Sequence, residues 1–297
     1  MHSWALCMTA TSRRSASHPI AVVERHFSAW SGAEGYTATR VSDAFLRCDI
    51  TVGNDSGSTK VTQIVSLDAK PESIAIDPAK TAVIVIDMQN DFGSKGGMFD
   101  RAGIDISGIQ QAVGPTARVL AAARRMGIKI VYLKMGYRSD LSDLGAPDAK
   151  NRVLHLQRLG VGQASKGPDG KEYRVLIRDT WGTDIVTELK PQVEDIVMYK
   201  HRFSGFYQTD LDLELRKAGI NHLIVTGCTT SICVESTIRD AFFRDYLCVL
   251  LTDCTSEPIA HDAPGSNHDA TLFLTELMFG WVSTSKLFLS VTVALET

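Results

Sequence analysis

The chain has 297 residues, 44% of them hydrophobic and 22% charged, which is enough to bury a sizeable core in one large or two small domains. Its 31 basic and 34 acidic residues leave a net charge of −3. With no basic block and no aromatic-interleaved cationic patch, there is no electrostatic footprint for nucleic acid. No run of 18 uncharged apolar residues exists, so no membrane-spanning helix is expected and the partner expected by default is a small molecule.

Met1 to Lys60 is rich in Ser, Thr, Ala, Gly and Arg, has no sustained period, and ends in the linker-like Gly53-Asn54-Asp55-Ser56-Gly57-Ser58. It reads as a poorly ordered extension (1–60) outside a main domain spanning 61–297. Arg13 and Arg14 among serines are similar to a transit peptide, whereas Glu24, Glu34, Asp43 and Asp49 argue against a targeting signal. A start codon assigned too far upstream explains the segment equally well. Six cysteines (Cys7, Cys48, Cys228, Cys233, Cys248 and Cys254) contain no CxxC pair. This argues for reduced thiols in a cytoplasmic setting and against a disulfide framework or zinc ribbon.

From Lys60 onward, strands and helices alternate. The apolar run Val83 to Ile86, closed by Asp87, has the pattern of a strand buried on both faces of a parallel sheet. A helix is predicted from about Ile106 to Met126, stopped by Gly127. Strands follow at Ile128–Leu133, Asp195–Tyr199, Leu223–Thr226 and Cys248–Leu251, with helices near Leu211–Ala218, from Cys233 to about Asp245, and near Asp269–Met278. This rhythm predicts an α/β fold: a three-layer, doubly wound, mostly parallel sheet joined by right-handed crossovers. Gly136 to Gly170 breaks the rhythm and reads as a long functional loop or lid.

Ligands of open parallel sheets bind beyond the carboxyl ends of the strands. Asp87, Lys200 and Cys233 all fall there. Singly, Asp87 reads equally well as a turn carboxylate, Lys200 as a solvated lysine and Cys233 as a small core residue. Their joint placement points to a catalytic site. A cysteine at the first turn of a helix also meets unpaired N–H groups and the positive end of the dipole.

These segments resemble the isochorismatase-like cysteine hydrolases, over about Lys70 to Ser283. The resemblance is carried by Val85-Ile86-Asp87-Met88-Gln89-Asn90-Asp91-Phe92, by Lys200-His201-Arg202-Phe203-Ser204-Gly205-Phe206, and by Gly227 through Asp240. It implies a Rossmann-like three-layer fold and an Asp87, Lys200, Cys233 triad. It also implies a cis peptide at Cys228–Thr229 and an oxyanion hole from the N–H groups of Thr229 and Cys233. Within the family the chain looks most like ureidoacrylate amidohydrolases. Arg138 to Leu144 looks more like biuret hydrolases. The implied activity is cleavage of a C–N bond in a small ureido or carbamoyl compound through a thioester, in a homo-oligomer. Gln89, Phe92, Tyr137, Arg138, Asp143, Phe203 and Phe206 are the candidate substrate contacts, Arg138 as the cation for a substrate carboxylate.

A free thiol is about 3% ionised at pH 7, and lowering its pKa by two units needs about 2.7 kcal/mol. A helix N-terminus supplies roughly 0.3–1 kcal/mol, so Lys200 is expected to supply the rest, with Asp87 as proton carrier. Nicotinamidases of the family carry a histidine-containing metal site beside the second strand. Lys134 to Asp143 holds no histidine, so neither metal nor cofactor is expected. Two rivals stand beside this reading: a Cys233–His201 dyad, which an extended backbone would set against Lys200 because neighbours point to opposite sides, and a non-catalytic binding subunit of the same fold.

Overall fold

The computed structural model describes residues 64–260 and 265–293, all within a compact unit running from Thr59 to Thr297. The extension expected over residues 1–60 lies outside the described residues. A hairpin of β1 (Val65–Leu67) and β2 (Ile74–Ile76) leads into β3 (Thr81–Ile86), two short helices α1 (Asn90–Gly93) and α2 (Met98–Arg101), the long α3 (Ser107–Arg125) and β4 (Lys129–Met135). Next come α4 (Lys150–Gln157), the hairpin β5 (Ala164–Lys166) and β6 (Glu172–Arg174), β7 (Ile196–Lys200), α5 (Leu211–Lys217) and β8 (His222–Cys228). A π-helical turn, Thr230–Val234, opens α6 (Glu235–Phe242), followed by β9 (Leu247–Ser256), α7 (Asn267–Leu274), β10 (Trp281–Ser283) and α8 (Ser285–Val293).

Six strands form one sheet in the order β10-β9-β8-β3-β4-β7, every neighbouring pair parallel. All six residues of β3 are buried, as the continuous apolar run requires. Val83 and Val85 pack with Ile109, Val119 and Leu120 of α3 on one face. Ala82, Ile84 and Ile86 pack with Leu211 and Leu215 of α5 and Ile238 of α6 on the other. Each such aliphatic side chain removed from water contributes about 1.5–3 kcal/mol, and the two-sided burial makes the three-layer α/β/α sandwich. No helix among the described residues is long and apolar enough to cross a membrane.

The segment 136–170 differs from the expected loop. It holds α4 and most of the β5–β6 hairpin, tied back to the body by the Tyr137 N–H donating to Leu176 O (2.9 Å) and the Gly162 N–H to Val175 O (2.9 Å). Asp91 anchors the same region. Its buried carboxylate accepts from the Met98 N–H (3.1 Å), the Tyr173 hydroxyl (2.8 Å) and the Leu176 N–H (2.9 Å).

Gly227, paired with Ile86 in the β3–β8 register, has φ +119°, and a Cβ there would collide with the Ile86 carbonyl oxygen. Close approach of the two central strands therefore requires glycine. Gly227→Ala is expected to destabilise the protein by about 3 kcal/mol, read as a lower urea midpoint with unchanged slope. A midpoint within error of the parent would show that the strands tolerate the side chain.

Candidate active site

Four strand ends build the site. Asp87 follows β3 with φ 54°, a left-handed conformation that aspartate tolerates better than most residues. Its N–H donates to Leu133 O of β4 (2.9 Å), and its carbonyl accepts from the Gln89 N–H (2.8 Å) and the Cys228 thiol (3.2 Å). Lys200 is the last residue of β7, with no exposed surface. Its Nζ donates to Asp87 Oδ2 (2.7 Å) and Arg202 O (3.3 Å) and lies 3.7 Å from Met135 Sδ, at the end of β4.

Cys233 sits inside the π-helical turn that follows β8 and is 7% exposed. Such turns displace one residue from the helical ladder and recur at functional sites. Glu257, just past β9, clamps this turn by accepting from Ser231 N (2.7 Å), Ser231 Oγ (2.6 Å) and Ile259 N (3.0 Å). The Cys228–Thr229 peptide is cis. Asp87, Cys228, Thr229 and Cys233 share one cavity of about 560 Å³, walled by apolar groups including Phe92, Phe99, Ile104, Leu176, Phe203 and Ile259.

The electrostatics differ from the expected stabilised thiolate. Burial pushes the Cys233 thiol well above its ordinary pKa; Lys200 opposes this and Asp87 adds to it. The favourable end of a helix turn does not offset complete desolvation, so the resting site holds a thiol. Burial works against the Lys200 ammonium, but the Asp87 carboxylate, with Cys233 beside it, outweighs it and holds its pKa above the usual lysine value. Asp87 is raised by burial against the pull of Lys200, which makes it a stronger base than a solvated aspartate. Its Oδ1 is buried with no hydrogen-bond partner among the described residues, leaving a lone pair for a proton beside Cys233.

Of the other expected contacts, Phe92 and Phe203 line this cavity. Gln89 does not. Its side chain is fully buried, donating to Met135 O (2.9 Å) and Thr183 O (3.3 Å) and accepting from Met135 N (2.6 Å), a strand-end tie that spends both of its N–H donors within the protein. Phe206 packs against Tyr246 in the core on the opposite face of the sheet. Tyr137 is wholly buried behind the cavity wall, edge-on to His155 with centroids 5.3 Å apart. Arg138 and Asp143 line a separate polar cavity of about 440 Å³ with Arg178, Tyr199 and His201. There Asp143 is held by Arg178 at 2.7 Å. His201, paired with Gln208 at 3.2 Å, belongs to that second cavity too, so Lys200 rather than His201 faces the cysteine.

Sequence reasoning missed His155 and Arg158. With Leu154 and Leu159 they form the side of α4 and its C-terminal cap that lines the catalytic cavity. His155 Nδ1 lies 2.6 Å from Asn151 O, so the proton sits on Nδ1 and Nε2 keeps a lone pair. Burial, reinforced by Arg202 and Lys200, pushes its pKa down and keeps the ring neutral. The available signal was Leu154, His155, Arg158 and Leu159 at helical spacing inside a segment read as loop. Among the described residues no group of three or more His, Cys, Asp or Glu side chains is placed to hold a metal ion.

Residues 81–286 match the isochorismatase domain. The ureidoacrylate amidohydrolase of Serratia proteamaculans is 40% identical over 238 residues, covering 78% of this chain and 90% of that protein. The one from Caulobacter segnis is 41% identical over 221 residues, covering 74% and 89%. A cysteine hydrolase structure from Pseudomonas syringae pv. phaseolicola superposes with TM-score 0.62 at 28% identity, over 74% of this chain and 95% of that one. The N-carbamoylsarcosine amidase of Thermoplasma acidophilum does so with TM-score 0.51 at 25% identity, over 69% and 96%.

The effect of Lys200 on the thiol gives a sign that can be tested. The Lys200 charge is the largest single influence opposing the burial that raises the thiol, so Lys200→Met moves the pH profile of Cys233 alkylation by iodoacetamide to higher pH, followed by peptide mass spectrometry. In the parent enzyme the rate is still rising above the ordinary cysteine range of about 8.5. A profile unmoved, or moved down, would remove Lys200 from this role.

Proposed function

The chain belongs to the isochorismatase family, and from that premise we propose that it is a cysteine-dependent amidohydrolase that cleaves a C–N bond of a small ureido compound of the ureidoacrylate type. The observation that carries this reading is the buried Asp87–Lys200 pair with a free carboxylate oxygen beside Cys233 in one apolar-walled cavity. The names of the relatives supply the substrate class.

In the proposed reaction Asp87 takes the Cys233 proton as sulfur attacks the carbamoyl carbon. Lys200 stays an ammonium throughout. It balances the charge on Asp87 and stabilises the developing thiolate, so the proton can move between two buried groups without leaving an unpaired charge. The amide N–H groups of Thr229 and Cys233 receive the oxyanion. Collapse breaks the C–N bond, and Asp87 returns its proton to the departing nitrogen. The sulfur now carries a thioester-like carbamoyl group. Asp87 then deprotonates a water that attacks this carbon, and the proton passes to the leaving sulfur, restoring the thiol. Phe92 and Phe203 exclude bulk water from these steps.

A biuret-type substrate was favoured in sequence by Arg138 to Leu144, but Arg138 and Asp143 line the second cavity. This leaves the ureidoacrylate reading the better supported of the two. Ammonia or carbamate release is to be measured on a panel of ureidoacrylate, biuret, carbamoyl amino acids and nicotinamide. Turnover is expected to be greatest with ureidoacrylate and to fall at least a thousandfold, to about background, in Cys233→Ala with unchanged thermal unfolding. Residual turnover above a trace in that variant would overturn the nucleophile. Absence of turnover across the panel would favour a non-catalytic binding subunit.

A further inference from the structure

A substrate of the ureidoacrylate type carries a carboxylate, and burying it against apolar walls without a cation is costly. The charged residues lining the catalytic cavity among those described are Asp87, Asp105 and Arg158. Asp87 is committed to Lys200. Asp105 accepts from the Ser107 N–H (2.9 Å) and the Ser107 hydroxyl (3.0 Å). That leaves Arg158.

Nearby arginines are tied down. Arg152 donates to Leu141 O and Gly145 O, Arg174 to Gly162 O and Ser139 O, Arg178 pairs with Asp143, and Arg202 donates to Asp143 O and His201 O. The Arg158 guanidinium has no hydrogen-bond or ion-pair partner among the described residues. Its backbone is nevertheless fixed, with N–H donating to Leu154 O at 3.0 Å as the C-terminal cap of α4. An anchored backbone, an unspent planar donor and a place in the cavity that holds Cys233 are what recognition of a carboxylate needs.

We propose that Arg158 is the specificity-determining residue that binds the substrate carboxylate, so that the cavity selects carbamoyl compounds bearing an anion at the end away from the scissile bond. The inference rests on the amidohydrolase reading for its substrate, and on cavity geometry for its cation. Arg138, the cation suggested by sequence proximity, lines the other cavity and is the control.

Two readouts test it, one independent of turnover. Alkylation of Cys233 is measured with anionic iodoacetate and with neutral iodoacetamide, in the parent, Arg158→Gln, Arg158→Lys and Arg138→Gln. The iodoacetate-to-iodoacetamide rate ratio falls roughly threefold to tenfold in Arg158→Gln, the range of one charged hydrogen-bonded contact with partial solvent access. It is largely kept in Arg158→Lys and unmoved in Arg138→Gln. In parallel, KM for ureidoacrylate rises by a similar factor in Arg158→Gln, with KM for biuret unmoved. A constant alkylation ratio in Arg158→Gln, or an equal fall in Arg138→Gln, overturns the proposal. A ratio that falls as stated in an enzyme without ureidoacrylate turnover sustains the anion site and sinks the substrate reading instead.

Discussion

A lysine with no exposed surface bonded at 2.7 Å to an aspartate that is 1% exposed is the constraint around which this molecule is built. Neither charge could be buried alone, and losing one partner of such a pair costs about 3–5 kcal/mol. The pair joins the ends of β3 and β7, strands that flank β4 in the sheet, so the register of three parallel strands fixes one contact. Gln89 reinforces it by bridging to both the N–H and the carbonyl of Met135 at the end of β4.

The proposed nucleophile depends on the same pair. Burial raises the Cys233 thiol, so in the proposed reaction its reactivity comes from proton transfer to Asp87 rather than from standing ionisation. A base that is buried, raised in pKa and left with one open oxygen suits that task better than a solvated carboxylate. The position of the turn is set separately, by Glu257 reaching from the end of β9 to Ser231. Attack geometry and proton affinity are thus controlled from different strands.

Much of the fold was legible because strands buried on both faces read as unbroken apolar runs, and the helix predicted over Ile106–Met126 is observed at Ser107–Arg125. The three groups at the strand ends were legible for the same reason, since a strand's end is also the edge of its apolar run. The cavity lining was not. Phe203 and Phe206 stand three residues apart after β7, yet one faces the cavity and the other the opposite core, and adjacency to a motif carries no such information. Arg138 follows β4 closely in sequence but turns to the second cavity, whereas Arg158, twenty residues on, returns on α4 to the catalytic one. The thiol's ionisation is not legible in the sequence, because helix position is visible there and the depth of burial that raises its pKa is not.

In the proposed reaction everything turns on Asp87 taking the Cys233 proton as sulfur attacks. Rapid acid quenching of the enzyme during its first turnover of ureidoacrylate, followed by mass spectrometry of the peptide that contains Cys233, addresses it directly. The parent is expected to acquire a carbamoyl group on Cys233 within that turnover, and Asp87→Asn to acquire it at least a hundredfold more slowly, within the range of about 10²–10⁴ for a lost general base. An Asp87→Asn enzyme carbamoylated on Cys233 at the parent's rate, or a parent enzyme that carries the group on another residue, would contradict it.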